Sequence, residues 1–465
     1  MTTAMTNPAD ALPPGIVAKY RDLKVPRYTS YPTAPHFSAA VGRESYLEWL
    51  GRLGAGDTLS LYLHVPFCRS MCWYCGCHTT IVPHDAPILD YVAALEREVD
   101  AVAGALAPGV SAAPAVTHVH FGGGTPALVP PAAFARLMDR LRGRFRFAPG
   151  AEVAVEVDPR TLTAEMAAAM GAAGVNRASL GVQSLDPAVQ QAINRIQTAE
   201  TTATAVERLR AAGVSRLNLD LIYGLPLQTV ASATETARAV LAMEPDRLSV
   251  FGYAHVPGFK KHQARIRDED LPGGAERQAQ AAAIDGVLLE AGFERVGFDH
   301  YARPDDPLAV AAREGSLRRN FQGYTTDAAT ALLGFGASAI GRLPQGFVQN
   351  EVALPAWRRA VDGHGTAVAR GVRFSADDRL RADIIEQVMC RFAVDLEAVA
   401  RRHGRTPGSV APDPARLAVL EADGLVARDG WRLSVPPAAR ALVRAVAALF
   451  DTYLSLSEER HSRAL

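Results

Sequence analysis

Leu59-Ser60-Leu61-Tyr62-Leu63-His64-Val65-Pro66 runs straight into Cys68-Arg69-Ser70-Met71-Cys72-Trp73-Tyr74-Cys75-Gly76-Cys77. The first stretch reads as a strand. The second holds four of the five cysteines in 465 residues. Soft thiolates this close together bind a metal or an iron–sulfur cluster. A closed structural zinc site prefers two separated C-x2-C hooks. Here Cys72 and Cys75 supply one such pair, and no distant Cys/His hook is obvious. Three thiolates spaced C-x3-C-x2-C suit a cubane cluster with one iron left open, able to bind and reduce a ligand. Structural zinc or a disulfide loop is the alternative.

Outward from this stretch a β/α alternation begins. Strands are predicted at 59–65, 116–121, 151–157, 177–182, 216–223 and 247–253. Helices are predicted at 88–106, 132–145, 165–173 and 201–212, the first with Tyr91, Leu95, Val99 and Val102 at helical spacing. Such repetition implies a parallel sheet with right-handed crossovers. Six strands fit a full or partial barrel better than an open dinucleotide-binding sheet.

Polar motifs fall at the predicted strand ends. Gly122-Gly123-Gly124-Thr125-Pro126 ends the second, and Glu156-Val157-Asp158-Pro159 the third. Gly181-Val182-Gln183-Ser184 ends the fourth, 218–226 covers the fifth, and Tyr253-Ala254-His255 ends the sixth. Taken singly, each reads as a satisfied polar core group. Together, at successive strand ends, they suggest one ligand-binding mouth. Three glycines let a ligand approach the backbone closely.

The 49 basic and 49 acidic residues balance, which argues against a general nucleic-acid or polyanion binder. Lysine occurs only at 19, 24, 260 and 261. Pro8, Asp10, Pro13 and Pro14 make the start unlike a signal peptide, and no run of about eighteen apolar residues suggests a membrane span. Clustered cysteines favour a reducing, cytoplasmic setting. A helix is expected at 16–23, ahead of a Pro-restricted extended segment at 25–35. Near Phe374 the pattern changes. Ser375 is expected to cap a helix over 376–393, with Asp378 three residues on. A second helix at 395–403, a segment at 417–423, short strands near 425–426 and 431–433, and a helix over 437–454 make a small winged-helix-like module. No basic stripe supports DNA binding there, so a cover or partner surface is preferred. Cys390 sits among apolar neighbours and is read as a buried, inert thiol.

These residues also carry a resemblance. C-x3-C-x-aromatic-C after a strand, with Gly-Gly-Gly-Thr-Pro on the next, resembles the radical S-adenosylmethionine (SAM) enzymes. Within them the chain is similar to the oxygen-independent coproporphyrinogen III oxidase family. The supporting stretches are 27–32 (RYTSYP), 72–77 (CWYCGC), 122–126, 156–160 (EVDPR), 181–184 (GVQS), 220–226 (DLIYGLP), 246–255 and 319–326 (RNFQGYTT), reaching into 450–454. The resemblance implies an α/β fold: a (β/α)6 partial TIM-type barrel over 42–372, an N-terminal extension over the active site at 1–41, and a helical, winged-helix-like domain over 373–465.

By the same resemblance, Cys68, Cys72 and Cys75 ligate a [4Fe–4S] cluster. Tyr62, Gly123, Glu156 and Ile340 match positions for a first SAM, with Tyr62 and Glu156 taken as catalytic. Tyr74, Gly124, Thr125, Gln183, Arg195, Asp220 and Ala254 match positions for a second. Ser184 stands where an acidic residue is common. Cys77 is not implied as a ligand. It sets the family apart from the radical SAM haem chaperones, which generally lack it and the Arg-Tyr-Thr-Ser-Tyr-Pro extension. The implied reaction is oxidative decarboxylation of two propionates of coproporphyrinogen III to vinyl groups, giving protoporphyrinogen IX in anaerobic haem biosynthesis. A 5′-deoxyadenosyl radical abstracts hydrogen from the propionate β-carbon, and CO2 and one electron are lost. Arg27, Arg303 and Arg319 are candidate anchors for the tetra-carboxylate substrate, and Tyr28 and Tyr31 for closing the extension over it. The expected protein is a cytoplasmic monomer taking electrons from a flavodoxin- or ferredoxin-type donor. The rivals are a haem-binding chaperone and a zinc or DNA-binding module.

Overall fold

The computed structural model describes residues 12–21, 23–106 and 113–454. Pro8 and Asp10, and the tail beyond 454, lie outside them. Among the described residues no helix is long and apolar enough to cross a membrane. The chain forms two compact units. The larger comprises Pro35–Pro272 and Asp327–Arg373. The smaller gathers Met1–Ala34, Gly273–Thr326 and Phe374–Leu465. This grouping runs across the expected division at 41 and 372, because residues 273–326 join the terminal segments.

The larger unit is α/β with a large parallel sheet. Its strands are β1 (Thr58–Val65), β2 (Ala115–Gly123), β3 (Arg146–Val157), β4 (Arg177–Gln183), β5 (Arg216–Tyr223) and β6 (Arg247–Gly252). Helices α1 (Ala86–Ala105), α2 (Pro131–Arg144), α3 (Ala164–Ala172), α4 (Ala199–Ala211) and α5 (Val230–Leu241) connect them in turn. Each strand pairs parallel with the next. The chain then returns as β7 (Ala331–Phe335), parallel to β1 on its other side. Three antiparallel strands follow outward: β8 (Ile340–Leu343), β9 (Gly346–Asn350) and β10 (Val368–Arg373). Periodicity read the first six strands and their alternation. It missed α5 and the four later strands, which are short and carry glycines.

Local chemistry explains the boundaries. Thr163, Thr198 and Thr229 each accept a hydrogen bond from the first turn of α3, α4 and α5. Leu59, Leu61 and Leu63, which share one face of β1, are essentially inaccessible, as a strand face packed into the core requires.

In the smaller unit the first helix is Pro14–Arg21. Ser375 caps Ala376–Arg391, accepting from the Asp378 amide at 3.0 Å while Asp378 accepts from the Ser375 amide at 2.8 Å. A three-stranded antiparallel sheet joins Ala393–Asp395, Arg432–Ser434 and Ala427–Asp429. The helix expected over 437–454 is broken. It is a 3-10 turn at Pro437–Leu442, a short α-helix at Val443–Ala447 and another 3-10 turn at Ala448–Phe450. Residues 442–450 are all buried, so packing on every side, not one amphipathic stripe, sets their path. Tyr28 and Tyr31 enter this unit's apolar core. Their phenols bond to Asp451 and Thr452, each at 3.0 Å. The Arg-Tyr-Thr-Ser-Tyr-Pro stretch is thereby tied to the 450–454 stretch.

Candidate active site

The cysteine loop leaves β1 through Pro66 and is held at many points. Phe67–Cys68 pairs with Thr80–Ile81, closing the loop on itself. Trp73 and Tyr74 pack against Val189, Ile193, Leu225, Tyr253 and Ile266. The Trp73 amide donates to Ile193 O at 2.9 Å, and Asn194 Nδ2 to Met71 O at 2.8 Å. From another side His262 donates to Cys75 O at 2.7 Å, Gln263 Nε2 to Tyr74 O at 2.9 Å, and Lys260 Nζ to Cys77 O at 3.0 Å. Protein groups on several sides thus fix the loop path.

Each of the three candidate thiols meets different donors. Cys68 faces the hydroxyls of Thr79 and Thr125 at 3.3 and 3.4 Å, and burial pushes its thiol up. Cys72 lies under two guanidinium groups, Arg160 at 3.5 Å and Arg195 at 3.6 Å. Asp158 pairs with both arginines, at 2.6 and 3.2 Å. Burial pushes Asp158 up, but the two cations outweigh it and hold it below the usual carboxylate range. Cys75 is lowered to about 6, chiefly by its hydrogen bond with the Cys77 side chain, against burial and with help from the Cys77 amide. Cys77 is exposed, and the same contact pushes its thiol up. Sulfurs that accept bonds from hydroxyls, guanidinium groups and an amide suit metal-bound thiolate. Among the described residues no three His, Cys, Asp or Glu side chains converge on a single-ion site. Thiolates spread around a multi-atom cluster need no such convergence.

The ends of β1, β2 and β3 form one polar group. Tyr62 donates to His64 Nδ1 at 2.8 Å, while His64 Nε2 donates to His78 O at 3.1 Å. The carbonyl fixes the tautomer, since it can only accept. Burial lowers His64 and pushes Tyr62 well up, so the phenol stays a donor. Glu156 accepts from the Gly123 amide at 3.0 Å and from His120 Nε2 at 3.3 Å. Burial pushes its carboxyl up, but His120, the Gly123 amide and His64 together hold it below the usual range. Its side chain keeps 40% of its surface accessible. The glycines serve the protein's own packing: Gly123 has φ +117°, and a Cβ there would meet the His64 ring at 2.6 Å. A Cβ at Gly124 would meet Phe67 O at 2.6 Å.

The end of β4 is strained. Gln183 has φ 71°, and the Ser184 amide bonds back to Val182 O at 3.0 Å. This is a γ-turn of the rare positive-φ sense, costing about 1–3 kcal/mol. Ser184 is buried, accepting from the Asp186 amide at 3.3 Å. Arg195 reaches Gly181 O at 2.6 Å, tying this turn to Asp158 and Cys72. Asp220 takes Ser179 Oγ at 2.9 Å and Asn218 Nδ2 at 2.7 Å, and burial pushes its carboxyl up. Gln263 Nε2 bridges Tyr74 O and Ala254 O. Ile340 follows Gly334, which is in register with Tyr62; a Cβ on Gly334 would lie 2.8 Å from the Ile340 carbonyl.

The three candidate substrate arginines lie in the smaller unit. Arg319 is stacked on Tyr324 and Phe298, with Asp299 at 3.8 Å. Arg303 lies over the Phe293 ring, and Arg27 is exposed. Cys390 is buried with Val296, Ala302 and Tyr324, and burial pushes its thiol up to about 12. Sequence reasoning assigned no role to His64, His120, Asp158, Arg160 or Gln263. For the histidines the available signal was the i, i+2 Tyr62/His64 pair on a strand, which puts both side chains on one face.

The family model for the radical SAM superfamily matches residues 62–240, and that for the HemN C-terminal domain matches 374–442. The oxygen-independent coproporphyrinogen III oxidase of Bradyrhizobium diazoefficiens is 55% identical over 97% of this chain and 99% of its own length. That of Paracoccus denitrificans is 42% identical over 96% and 97%. The solved structure of coproporphyrinogen III oxidase from Escherichia coli, described as a radical SAM enzyme, superimposes with a TM-score of 0.87 at 39% identity, covering 92% of this chain and 98% of that one.

Proposed function

Because the chain belongs to the oxygen-independent coproporphyrinogen III oxidase family of the radical SAM enzymes, we propose that it converts two propionates of coproporphyrinogen III to vinyl groups, giving protoporphyrinogen IX. Family membership implies a [4Fe–4S] cluster and SAM. When bound, they supply the one-electron cleavage that starts hydrogen abstraction from the propionate. Cys68, Cys72 and Cys75 hold the cluster. The observation that carries this reading is that all three sulfurs accept hydrogen bonds from the protein beside the Gly123–Glu156 group.

The finer reading assigns roles to this chain's own groups. Glu156, kept ionised, accepts from the amino group of a first SAM, with Tyr62, Gly123 and Ile340 lining the same place. A second SAM lies against Tyr74, Gly124, Thr125, Gln183, Arg195, Asp220 and Ala254. Its carboxylate suits Arg195, and its amino and hydroxyl groups suit Asp220 and Gln183. Arg27, Arg303 and Arg319 anchor substrate carboxylates. The parallel sheet curves as a (β/α)6 partial barrel. The protein works as a monomer in the cytoplasm with a small redox protein as donor.

The test is anaerobic. Reconstituted protein, SAM, dithionite and coproporphyrinogen III should yield protoporphyrinogen IX and 5′-deoxyadenosine. Absence of both, with haem bound instead, supports a chaperone and overturns this reading. Cys68→Ala, Cys72→Ala and Cys75→Ala should each lose the cluster. Normal iron and sulfide in any of them contradicts the ligand assignment.

A further inference from the structure

Beside the cysteine loop lies a segment that the proposed reaction leaves unused. Two of the chain's four lysines are adjacent there, in Phe259-Lys260-Lys261-His262, with Arg265 and Arg267 close behind. The segment is bonded to the loop itself, through Lys260 to Cys77 O and His262 to Cys75 O. Phe259 is 69% exposed, the most exposed of the large apolar side chains. Lys261 and Arg265 are exposed as well, and Arg265 covers the Trp73 ring at 5.7 Å. A groove of about 390 Å³ continues from there, lined by Trp73, Arg265 and Leu227 among others.

The segment keeps a small positive excess, with basic residues at 260, 261, 265 and 267 against acids at 268, 269 and 270. Glu269 and Asp270 pair with Arg267, and Asp268 lies against His255. No carboxylate lies within ion-pair distance of Lys260, Lys261 or Arg265 among the described residues. An exposed aromatic with Lys261 and Arg265 exposed close by in the chain complements a redox protein whose cofactor edge is ringed by carboxylates.

We infer that Phe259, Lys261 and Arg265 form the docking surface for an acidic one-electron carrier of the flavodoxin type. The inference rests on Cys68, Cys72 and Cys75 being cluster ligands. Phe259 favours a flavin over an iron–sulfur carrier, because a flavin presents a flat apolar ring edge to a protruding aromatic. The transfer is balanced: the reduced flavin loses one electron, the cluster gains one, and no bond forms or breaks. The contacts to Cys75 O and Cys77 O give the electron a short path through the protein.

Stopped-flow mixing of the reconstituted protein with photoreduced flavodoxin at low salt tests the inference. Lys261→Glu should slow the second-order reduction roughly tenfold, and added salt should erase the difference. Phe259→Ala should slow it at every salt concentration. Dithionite should reduce both variants as it does the parent. Unchanged rates with flavodoxin in both variants overturn the surface, and faster reduction by an acidic ferredoxin overturns the choice of carrier. If dithionite cannot reduce the parent protein, the cluster reading has failed, and the surface falls with it.

Discussion

Two carboxylates of the larger unit, Glu156 and Glu98, use the same device to different ends. Each accepts from a glycine amide at the end of a strand or just beyond it, Gly123 at 3.0 Å and Gly336 at 2.7 Å. Around Glu156 the further neighbours are His120 and His64, and the carboxyl is held below the usual range. Around Glu98 they are neutral donors, Asn350 Nδ2 at 2.7 Å and Trp357 Nε1 at 3.3 Å. Burial dominates there and pushes Glu98 up to about 7. Glu156 keeps accessible surface, whereas Glu98 is 1% exposed. One carboxylate is held below the usual range with part of its surface open, as the proposed SAM contact needs. The other is a clasp, holding the turn between β7 and β8 from α1. Tyr91, seven residues earlier on α1, completes the clasp by donating to His64 O at 2.8 Å and accepting from the Ala337 amide at 2.9 Å.

The contrast can be broken most directly at Glu156. Glu156→Gln should weaken SAM binding roughly 100-fold, since hydrogen bonds to a charged group contribute about 1.5–3 kcal/mol. Iron content and thermal stability should hold. Equilibrium binding checks this, and a concurrent loss of fold would make Glu156 a second clasp.

At Glu98 the sign is opposite. Its folded value, about 7, lies above the ordinary value of 4.5. The unfolded chain therefore releases this proton first. The contribution is fully favourable below about pH 4.5 and is lost as pH rises through about 7, a change of roughly 3 kcal/mol. Glu98→Gln removes this titration, so the gap between its thermal midpoint and the parent's should narrow from pH 5 to pH 8. Parallel curves would rule out the raised value.

Tyr91→Phe should cost about 1–3 kcal/mol in denaturant unfolding, because it strips a buried carbonyl and a buried amide of their partner. The smallest effect sharpens the comparison from the other side. His120→Gln removes the first-named neighbour that holds Glu156 down, making its surroundings more like those of Glu98. SAM affinity should then fall more steeply than the parent's as pH is lowered, and an unchanged pH profile would show that His120 does not set the charge of Glu156.

Much of the fold was legible in local pattern. Strands expected at 59–65 and 216–223 appear as Thr58–Val65 and Arg216–Tyr223, because apolar runs bounded by turn residues carry their own length. The helix over 437–454 failed because residues 442–450 within it are buried all round, and α5 was passed over despite a Thr229–Ser232 capping box. The glycines at 122–124 were read as room for a ligand. They are also required by His64 and the Phe67 backbone, which only the folded chain brings against them.

The three-thiolate spacing, the parallel β/α alternation and the family are written in short-range order or in motifs. What faces each sulfur and each carboxylate comes from folding. Cys72 meets Arg195 across 123 residues, and Glu98 meets Asn350 across 252. Such meetings depend on which helix, loop and strand pack against one another, and that choice is made by contacts between residues far apart along the chain, not by local periodicity.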